Sequence, residues 1–377
     1  MRVLHNLLLA LILVTVSHWT AYGAEINTLL KTLKSVGPQA AGNRQAAPAW
    51  TELIKADAGQ LPAILAGLDD ANPLAANWIR TAVDTVAERR FRRDGTLPAA
   101  ELERFVLDTS HAPRARRLAY EWLCHVDRSA PERLLPGMLD DPSLEMRRDA
   151  VARRIDEAAR LVQARETDQA VPLYQEALTA ARDADQVALL ADRLRELGRE
   201  VNLPRHFGFV LRWNVIGPFD NTDGRGFAAV YPPERGIDLQ ASYDGKHGKV
   251  QWLEHIAKDE YATVDFNRAL QHEKAVVGYA TSEFVSRRRQ EVDLRVTSLN
   301  AVKVWLNGQL VARHEVYHAG SQMDQYTNHV IMQPGRNTIL VKVCQNAITP
   351  EWADPWGFQL RVCDTNGTAV LSADRNP

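Results

Sequence analysis

The chain has 377 residues, enough for two or three domains, and its 45 % hydrophobic and 24 % charged content is that of a globular protein with a real core. Lysine and arginine number 45 against 47 aspartates and glutamates, a formal net charge of −2, so nothing suggests a nucleic-acid partner or an anionic membrane surface. The arginine runs Arg89-Arg90-Phe91-Arg92-Arg93 and Arg287-Arg288-Arg289 are balanced by acidic residues elsewhere.

Residues 1–23 read as a leader. Arg2 supplies a positive start, Leu7 to Val16 an apolar run, and Ala21 and Gly23 small residues at the −3 and −1 positions, which predicts cleavage after Gly23. The run is about half of the ~20 residues a spanning helix needs, so the expectation is an exported protein, periplasmic or secreted. An uncleaved anchor is the alternative.

From there to about Leu203 the pattern is helical. Leu29, Leu33 and Val36 open it, and Ile54, Leu61, Ile64 and Leu68 continue it, with breaks at Pro62 and Pro73. Two later segments share a plan: His111-Ala112-Pro113 precedes Arg116-Arg117-Leu118-Ala119, and Asp141-Pro142-Ser143 precedes Arg147-Arg148-Asp149-Ala150-Val151. Asn72-Pro73 begins a fainter third copy. These segments resemble HEAT-like α-solenoid repeats, in which stacked helix pairs bury their apolar stripes on one another. Leu144, Val151, Ile155, Ala158 and Val162 fall on one face at helical spacing. Ala170, Leu173, Tyr174, Ala177, Leu178 and Ala181, followed by Val187, Leu190, Ala191, Leu194 and Leu197, look like a tetratricopeptide (TPR) type hairpin; any antiparallel helix pair would give the same pattern.

Leu203-Pro204 ends the helices, and the period then shifts towards two. Short strands are expected at Trp213–Ile216, Val250–Leu253 and around Val276–Thr281, with turns at Gly217-Pro218, Tyr231-Pro232-Pro233 and Tyr243-Asp244-Gly245. Between Asn300 and Asp364 four strands are legible. Val302, Val304 and Leu306 alternate with Lys303 and Trp305 ahead of Asn307-Gly308, the pair best suited to positive φ at both centres of a type I′ turn. Val330-Ile331-Met332 runs into Pro334-Gly335, then come Ile339 to Val343 and Phe358, Leu360 and Val362. Such alternation buries one face and leaves the other wet, as in an antiparallel sandwich. Three cysteines remain: Cys344 and Cys363 end strands that could be neighbours and bonded, whereas Cys124 reads as a buried small hydrophobe.

Trp213-Asn214-Val215-Ile216-Gly217-Pro218-Phe219-Asp220, Val304-Trp305-Leu306-Asn307-Gly308 and Pro334-Gly335-Arg336-Asn337-Thr338-Ile339 resemble the galactose-binding-like jelly roll, in particular the sugar-binding domain of family 2 glycoside hydrolases. The resemblance covers about residues 205 to 370. As a whole the chain is similar to exported bacterial proteins that join helical repeats to such a module. The expected fold is α + β and multidomain: a leader at 1–23, a HEAT/TPR-like α-solenoid at 24–203 and a galactose-binding-like β-sandwich at 204–377. The family's catalytic acids lie in a separate barrel domain, which this chain has no room for after residue 370.

Candidate chemistry is sparse. There is no Gly-x-Ser-x-Gly elbow and no phosphate-cradling glycine loop; His314-Glu315-Val316-Tyr317-His318 has the letters of His-Glu-x-x-His, but it follows a strand and precedes Gly320, so facing imidazoles are not assured. Asp259-Glu260 are neighbours on one loop, not acids facing across a cleft. His314, His318 and His329 have some of the spacing of a zinc site but lie on no helix. Asp220-Asn221-Thr222-Asp223-Gly224 offers oxygen ligands; the resemblance implies a structural calcium there, and a series of Asx turns is the other reading.

Aromatic residues point to a ligand more directly. Trp305 has the parity of the wetter strand face. Trp352 and Trp356 share a loop with Glu351 and Asp354, close to Asn346, and could form a platform on which sugar rings stack while carboxylates and amides take the hydroxyls. The same tryptophans would also serve to close the end of the core. His318 and Asp324, with Tyr317 and Gln325, fall in the long connection between Val311 and Val330, where function tends to sit. The first expectation is a non-catalytic, exported, carbohydrate-binding protein whose partner is a glycan or cell-surface polysaccharide. The alternatives are a scaffold that binds another protein on its helical surface and an accessory subunit of a glycoside hydrolase.

Overall fold

A computed structural model describes residues 25–374; the leader read at 1–23 lies outside the described residues. The chain divides into two compact units, one up to Ala181 and one from Arg182. The first is helical and the second is built on antiparallel sheets, an α + β architecture in two parts. No helix among the described residues is long and apolar enough to cross a membrane.

In the helical unit, residues 25–34 form α1. Then come α2 (Asn43–Leu53), α3 (Leu61–Ala66), α4 (Pro73–Asp94), α5 (Ala99–Leu107), α6 (Pro113–Val126), α7 (Ala130–Leu134), α8 (Leu144–Gln163) and α9 (Thr167–Ala180). The proline-led segments become helix starts: Pro73 and Pro113 stand first in α4 and α6, where proline's fixed φ suits the first turn and its missing N–H would be unpaired, while Pro142 precedes the Ser143 cap of α8. Asn72 caps α4 by accepting from the backbone N–H groups of Leu74 and Ala75 at 2.9 and 3.0 Å, and Ser143 caps α8 through Met146. The arginines at these starts turn inward. Arg116, 1 % exposed, grips Asp141 with two bonds of 2.8 and 2.7 Å and donates to the Val106 carbonyl at the end of α5. Arg147 donates to the carbonyls of Asp140 and Asp141, and Arg114 to that of Leu68. The Val106 carbonyl, in the last turn of α5, is one that a helix end leaves open, while those of Leu68, Asp140 and Asp141 lie in the connections between helices. The stripe on α8 is buried at Met146, Ala150, Val151 and Ala158, while Leu144 and Val162 emerge at its two ends.

The second unit opens with α10 (Ala184–Glu196) and α11 (Leu203–Phe207) and continues through β1 (Arg212–Asp220), α12 (Pro232–Arg235), β2 (Ser242–Asp244), β3 (Lys249–Gln251), β4 (Leu253–Ile256), β5 (Val264–Asp265) and α13 (Phe266–Ala269). The remaining strands are β6 (Val276–Ser286), β7 (Gln290–Thr297), β8 (Ala301–Leu306), β9 (Gln309–His314), β10 (Tyr326–Met332), β11 (Gly335–Gln345) and β12 (Gly357–Cys363). One sheet runs β4-β1-β6-β11-β8-β9 and a facing one β10-β7-β12-β5, while β2 and β3 form a separate ribbon. Between the two large sheets lie Trp213, Val215, Ala280, Phe284, Val302, Val304, Ile339 and Val341 from one side and Val292, Leu294, Phe358 and Leu360 from the other.

Asn307 (φ 52°) and Gly308 (φ 78°) both lie in the left-handed region and join β8 to β9, as the I′ turn requires. That hairpin partner raises the strands after Asn300 from the four expected to five. Pro334-Gly335 joins strands of opposite sheets, since β10 pairs with β7 and β11 with β6 and β8. This crossing also removes the disulfide reading. Cys344 on β11 and Cys363 on β12 belong to different sheets, and both are free, buried thiols. Nor is the outer face of the six-stranded sheet wet throughout. Residues 221–245 form a strap over half of it, with Phe227 packed among Phe219, Val277, Tyr279 and Cys344, so Lys303 is buried where alternation alone predicts solvent.

Candidate binding site

The loop from Asn346 to Trp356, between β11 and β12, is fixed from below by buried amides. Asn300 donates to Oε1 of Gln345 at 2.8 Å and to the Pro355 carbonyl at 3.1 Å, while its own Oδ1 accepts from Gly357 N–H. Gln345 donates to the carbonyls of Ala353 and Asp354 at 2.9 and 3.2 Å. Lys274 reaches the Ala353 carbonyl, and Ser298 that of Gly357. A buried polar group left unmatched is costly, so these bonds define one loop conformation.

The two tryptophans on this loop have opposite fates. Trp352, in the short turn Glu351–Ala353, is 64 % exposed, whereas Trp356 is 1 % exposed. Trp356 packs on Phe266 with ring centroids 5.0 Å apart and donates its indole N–H to the Val343 carbonyl. Gly278 of β6 leaves it room, since a Cβ there would come within 2.8 Å of the indole. Trp356 therefore closes the core and cannot serve as a stacking platform.

The other expected residues sort into three groups. His318 sets its ring edge-on to Trp352 at 4.9 Å and bonds Nδ2 of Asn346 through Nε2 at 2.8 Å, so these three stand together. Glu351 and Asp354 line a pocket of about 510 Å3 at the same end of the sandwich, with Trp356 and Phe358 also in its wall. The Glu351 carboxylate has no hydrogen bond or ion pair among the described residues, and Asp354 holds His272 at 2.8 Å and Lys274 at 3.3 Å. The hydrogen bond from His272 keeps the Asp354 carboxyl below its ordinary value, against the smaller effect of burial. Asp324 is elsewhere: it is an internal counter-ion clamped by Arg361 and Arg295. Burial alone would raise its carboxyl, but the Arg361 hydrogen bond and the two guanidinium charges hold it low.

The loop after β1 does not gather its oxygens. Asp220 accepts from Thr222, Asp223 pairs with Arg225, and Asn221 turns inward to the Gln345 carbonyl and the Tyr317 hydroxyl, so the Asx-turn reading describes it. The histidines diverge likewise: His314 stacks on Tyr326 and His329 pairs with Asp293. Among the described residues no three His, Cys, Asp or Glu side chains come together as a metal site would need. Asp259 and Glu260 are engaged too, the first in bonds to the N–H groups of Tyr261 and Thr263, the second with Arg195.

Sequence reasoning missed the group beneath the strap. Lys342, 0 % exposed, donates to Glu234 at 2.8 Å and to the Ala229 carbonyl, and Tyr279 donates to the same carboxylate. Lys303 lies directly opposite Lys342 in the β8–β11 register and donates to the Phe227 carbonyl at 2.7 Å. Burial, and then the neighbouring Lys342 charge, push the Lys303 ammonium down. The signal was present in the sequence: Lys303 and Lys342 each interrupt an apolar strand at a position where its neighbours are core.

Comparison with protein-family profiles gives no match, and comparison with curated proteins gives none. Among solved structures, the chain is similar to an anti-sigma factor domain-containing protein from Clostridium clariflavum at 11 % identity and TM-score 0.25, over 45 % of this chain and 49 % of that one. It is similar to the β-glucosidase from Kluyveromyces marxianus at 13 % identity and TM-score 0.28, over 46 % and 22 %. An α-xylosidase from Xanthomonas citri gives 14 % and 0.19, over 30 % and 15 %. The chain thus spans about half or less of the length of these structures. At TM-scores this low, function has to be read from this chain's own residues.

Proposed function

We propose that this is an exported, non-catalytic carbohydrate-binding protein, in which a galactose-binding-like sandwich holds the glycan and HEAT- and TPR-like helix pairs form a rigid second part. One observation supports it above the rest: Trp352 stands 64 % exposed on a loop whose backbone is fixed by buried Asn300 and Gln345. A large aromatic ring held in water by a preformed loop offers a flat apolar face at little ordering cost, which suits the C–H face of a sugar ring. Asn346, His318 and Glu351 supply hydrogen-bonding groups around it.

The test is a glycan array on the whole chain beside its Trp352→Ala variant. Binding of at least one glycan, weakened about tenfold or more in the variant at an unchanged thermal midpoint, supports the proposal. A blank array refutes it.

A second reading, protein binding on the helical unit, is favoured by one feature. Trp50, Trp78 and Trp122 lie half-buried on α2, α4 and α6, beside an ion-pair ladder from Arg80 to Glu121 and from Arg117 to Asp149. Capture of a protein that is lost on Trp78→Ala, together with a blank array, would move the assignment there.

A further inference from the structure

The half of the six-stranded sheet that the strap leaves uncovered is a groove of about 980 Å3. Strand register defines it. The row Ile216–Tyr279–Lys342–Lys303 lies under the strap. The next row, Glu254–Asn214–Thr281–Leu340–Trp305, crosses β4, β1, β6, β11 and β8 along the groove, with Glu254 exposed, Asn214 and Trp305 half-buried, and Thr281 and Leu340 buried at its bottom. Four interstrand steps of about 4.8 Å give that floor a length of roughly 19 Å. Its wall is the strap segment from Pro233 to Leu239. Glu234 in this wall is bound to buried Lys342 and Tyr279, so wall and floor are locked before any ligand arrives.

We propose that this groove is a second carbohydrate site, one that takes an uncharged linear oligosaccharide lying across the strands. It shares no residue with the Trp352 loop, so either site can fail while the other stands.

Three features favour this occupant. Of the five floor strands, β1, β6, β11 and β8 each have hydrogen-bonded neighbours on both sides, so only β4, at the sheet edge, offers free main-chain groups. An extended peptide, with a donor and an acceptor at almost every residue, would lie there unsatisfied. Side chains are what the floor offers. Arg212, Asn214 and Glu254 sit together at its β4–β1 end without a side-chain hydrogen bond or ion pair among the described residues, and the half-buried Trp305 indole lies three strands away. Finally, the lining charges that have no ion-pair partner among the described residues balance, Arg212 and Arg235 against Glu254 and Asp374, which matches a neutral chain of hydroxyl groups that both donate and accept. Spacing a polar cluster and an indole several strands apart suits an elongated ligand, unlike the compact end pocket.

The test is isothermal titration of the whole chain with cellohexaose, xylohexaose, laminarihexaose and the matching disaccharides. At least one hexasaccharide should bind about tenfold or more tightly than its disaccharide, and Trp305→Ala should weaken it by about tenfold. Trp305 also packs against the core under the strap, so Asn214→Ala and Glu254→Gln, on half-buried and exposed side chains, give a second measure. Each should weaken binding by about threefold to tenfold at an unchanged thermal midpoint. Three results would overturn the proposal. One is the absence of hexasaccharide binding. Another is binding that survives Asn214→Ala and Glu254→Gln but disappears in Trp352→Ala, which assigns it to the loop alone. The last is preference for an extended peptide of alternating Thr and Val over every sugar.

Discussion

Both units bury charge, and they use it at different ranges along the chain. In the helical unit, Arg116 reaches Val106 and Asp141, and Arg147 reaches Asp140 and Asp141, all within a few turns or the next helix. In the sandwich unit, Lys342 binds Glu234, Arg361 donates to the Phe207 carbonyl, and Asn221 donates to that of Gln345, each across a large part of the unit. The first kind of contact ties a helix to its neighbour or to the adjoining connection. The second kind holds excursions, a strap and a loop, against sheet faces that are already complete. The candidate binding loop is of the second kind, since an excursion fixed from beneath can present side chains without being part of a sheet.

The sharpest way to break this contrast is to remove the long-range cation. Lys342→Met leaves the Glu234 carboxylate under the strap without its cation, with only the Tyr279 hydroxyl bonded to it, and should cost about 3–5 kcal/mol in urea unfolding of the sandwich unit. Arg116→Met strands Asp141 in the same way at a similar cost, but the loss should appear in hydrogen exchange of the helical unit and leave glycan binding intact. Equal loss of binding in both variants would erase the distinction.

A smaller change tests the loop. Asn300→Ala removes one of the two donors to Gln345 Oε1, together with the bonds to Pro355 and Gly357, and should cost about 1–3 kcal/mol, with glycan binding at Trp352 falling by more than the stability loss alone explains.

Acid gives a third measure. Since Asp324 is held below its ordinary value, its pairing with Arg361 and Arg295 stabilises the sandwich fully above the unfolded-state value of about 3.9 and is lost as pH falls through the lower folded value. Urea midpoints of the sandwich unit should therefore drop below about pH 4, and less steeply in Asp324→Asn.

The smallest effect concerns the thiols. Burial pushes Cys344 up to about 12 and Cys363 to about 11, so neither should react with a maleimide until the protein unfolds, and reduction should leave the mass of each unchanged.

The contrast between the units also explains what the sequence made legible. Helices α4, α6 and α8 were readable because proline starts, caps and apolar spacing are local, and the β8–β9 hairpin because Asn307-Gly308 is a local signal. The sheet order was not, since Pro334-Gly335 reads the same whether the next strand pairs with the last one or crosses to the other sheet. For the same reason Trp352 and Trp356 looked alike: only the space at Gly278, far away in sequence, admits one of them to the core. Lys303 shared the parity of Trp305 and was expected in solvent, because nothing local shows that residues 221–245 return over that half of the sheet.

Hydrogen exchange of the whole chain, with and without the glycan that gives the strongest array signal, is the most direct test of where binding resides. The account predicts slowed exchange in residues 346–356 and none across residues 25–181. Slowing confined to the helical unit would contradict it.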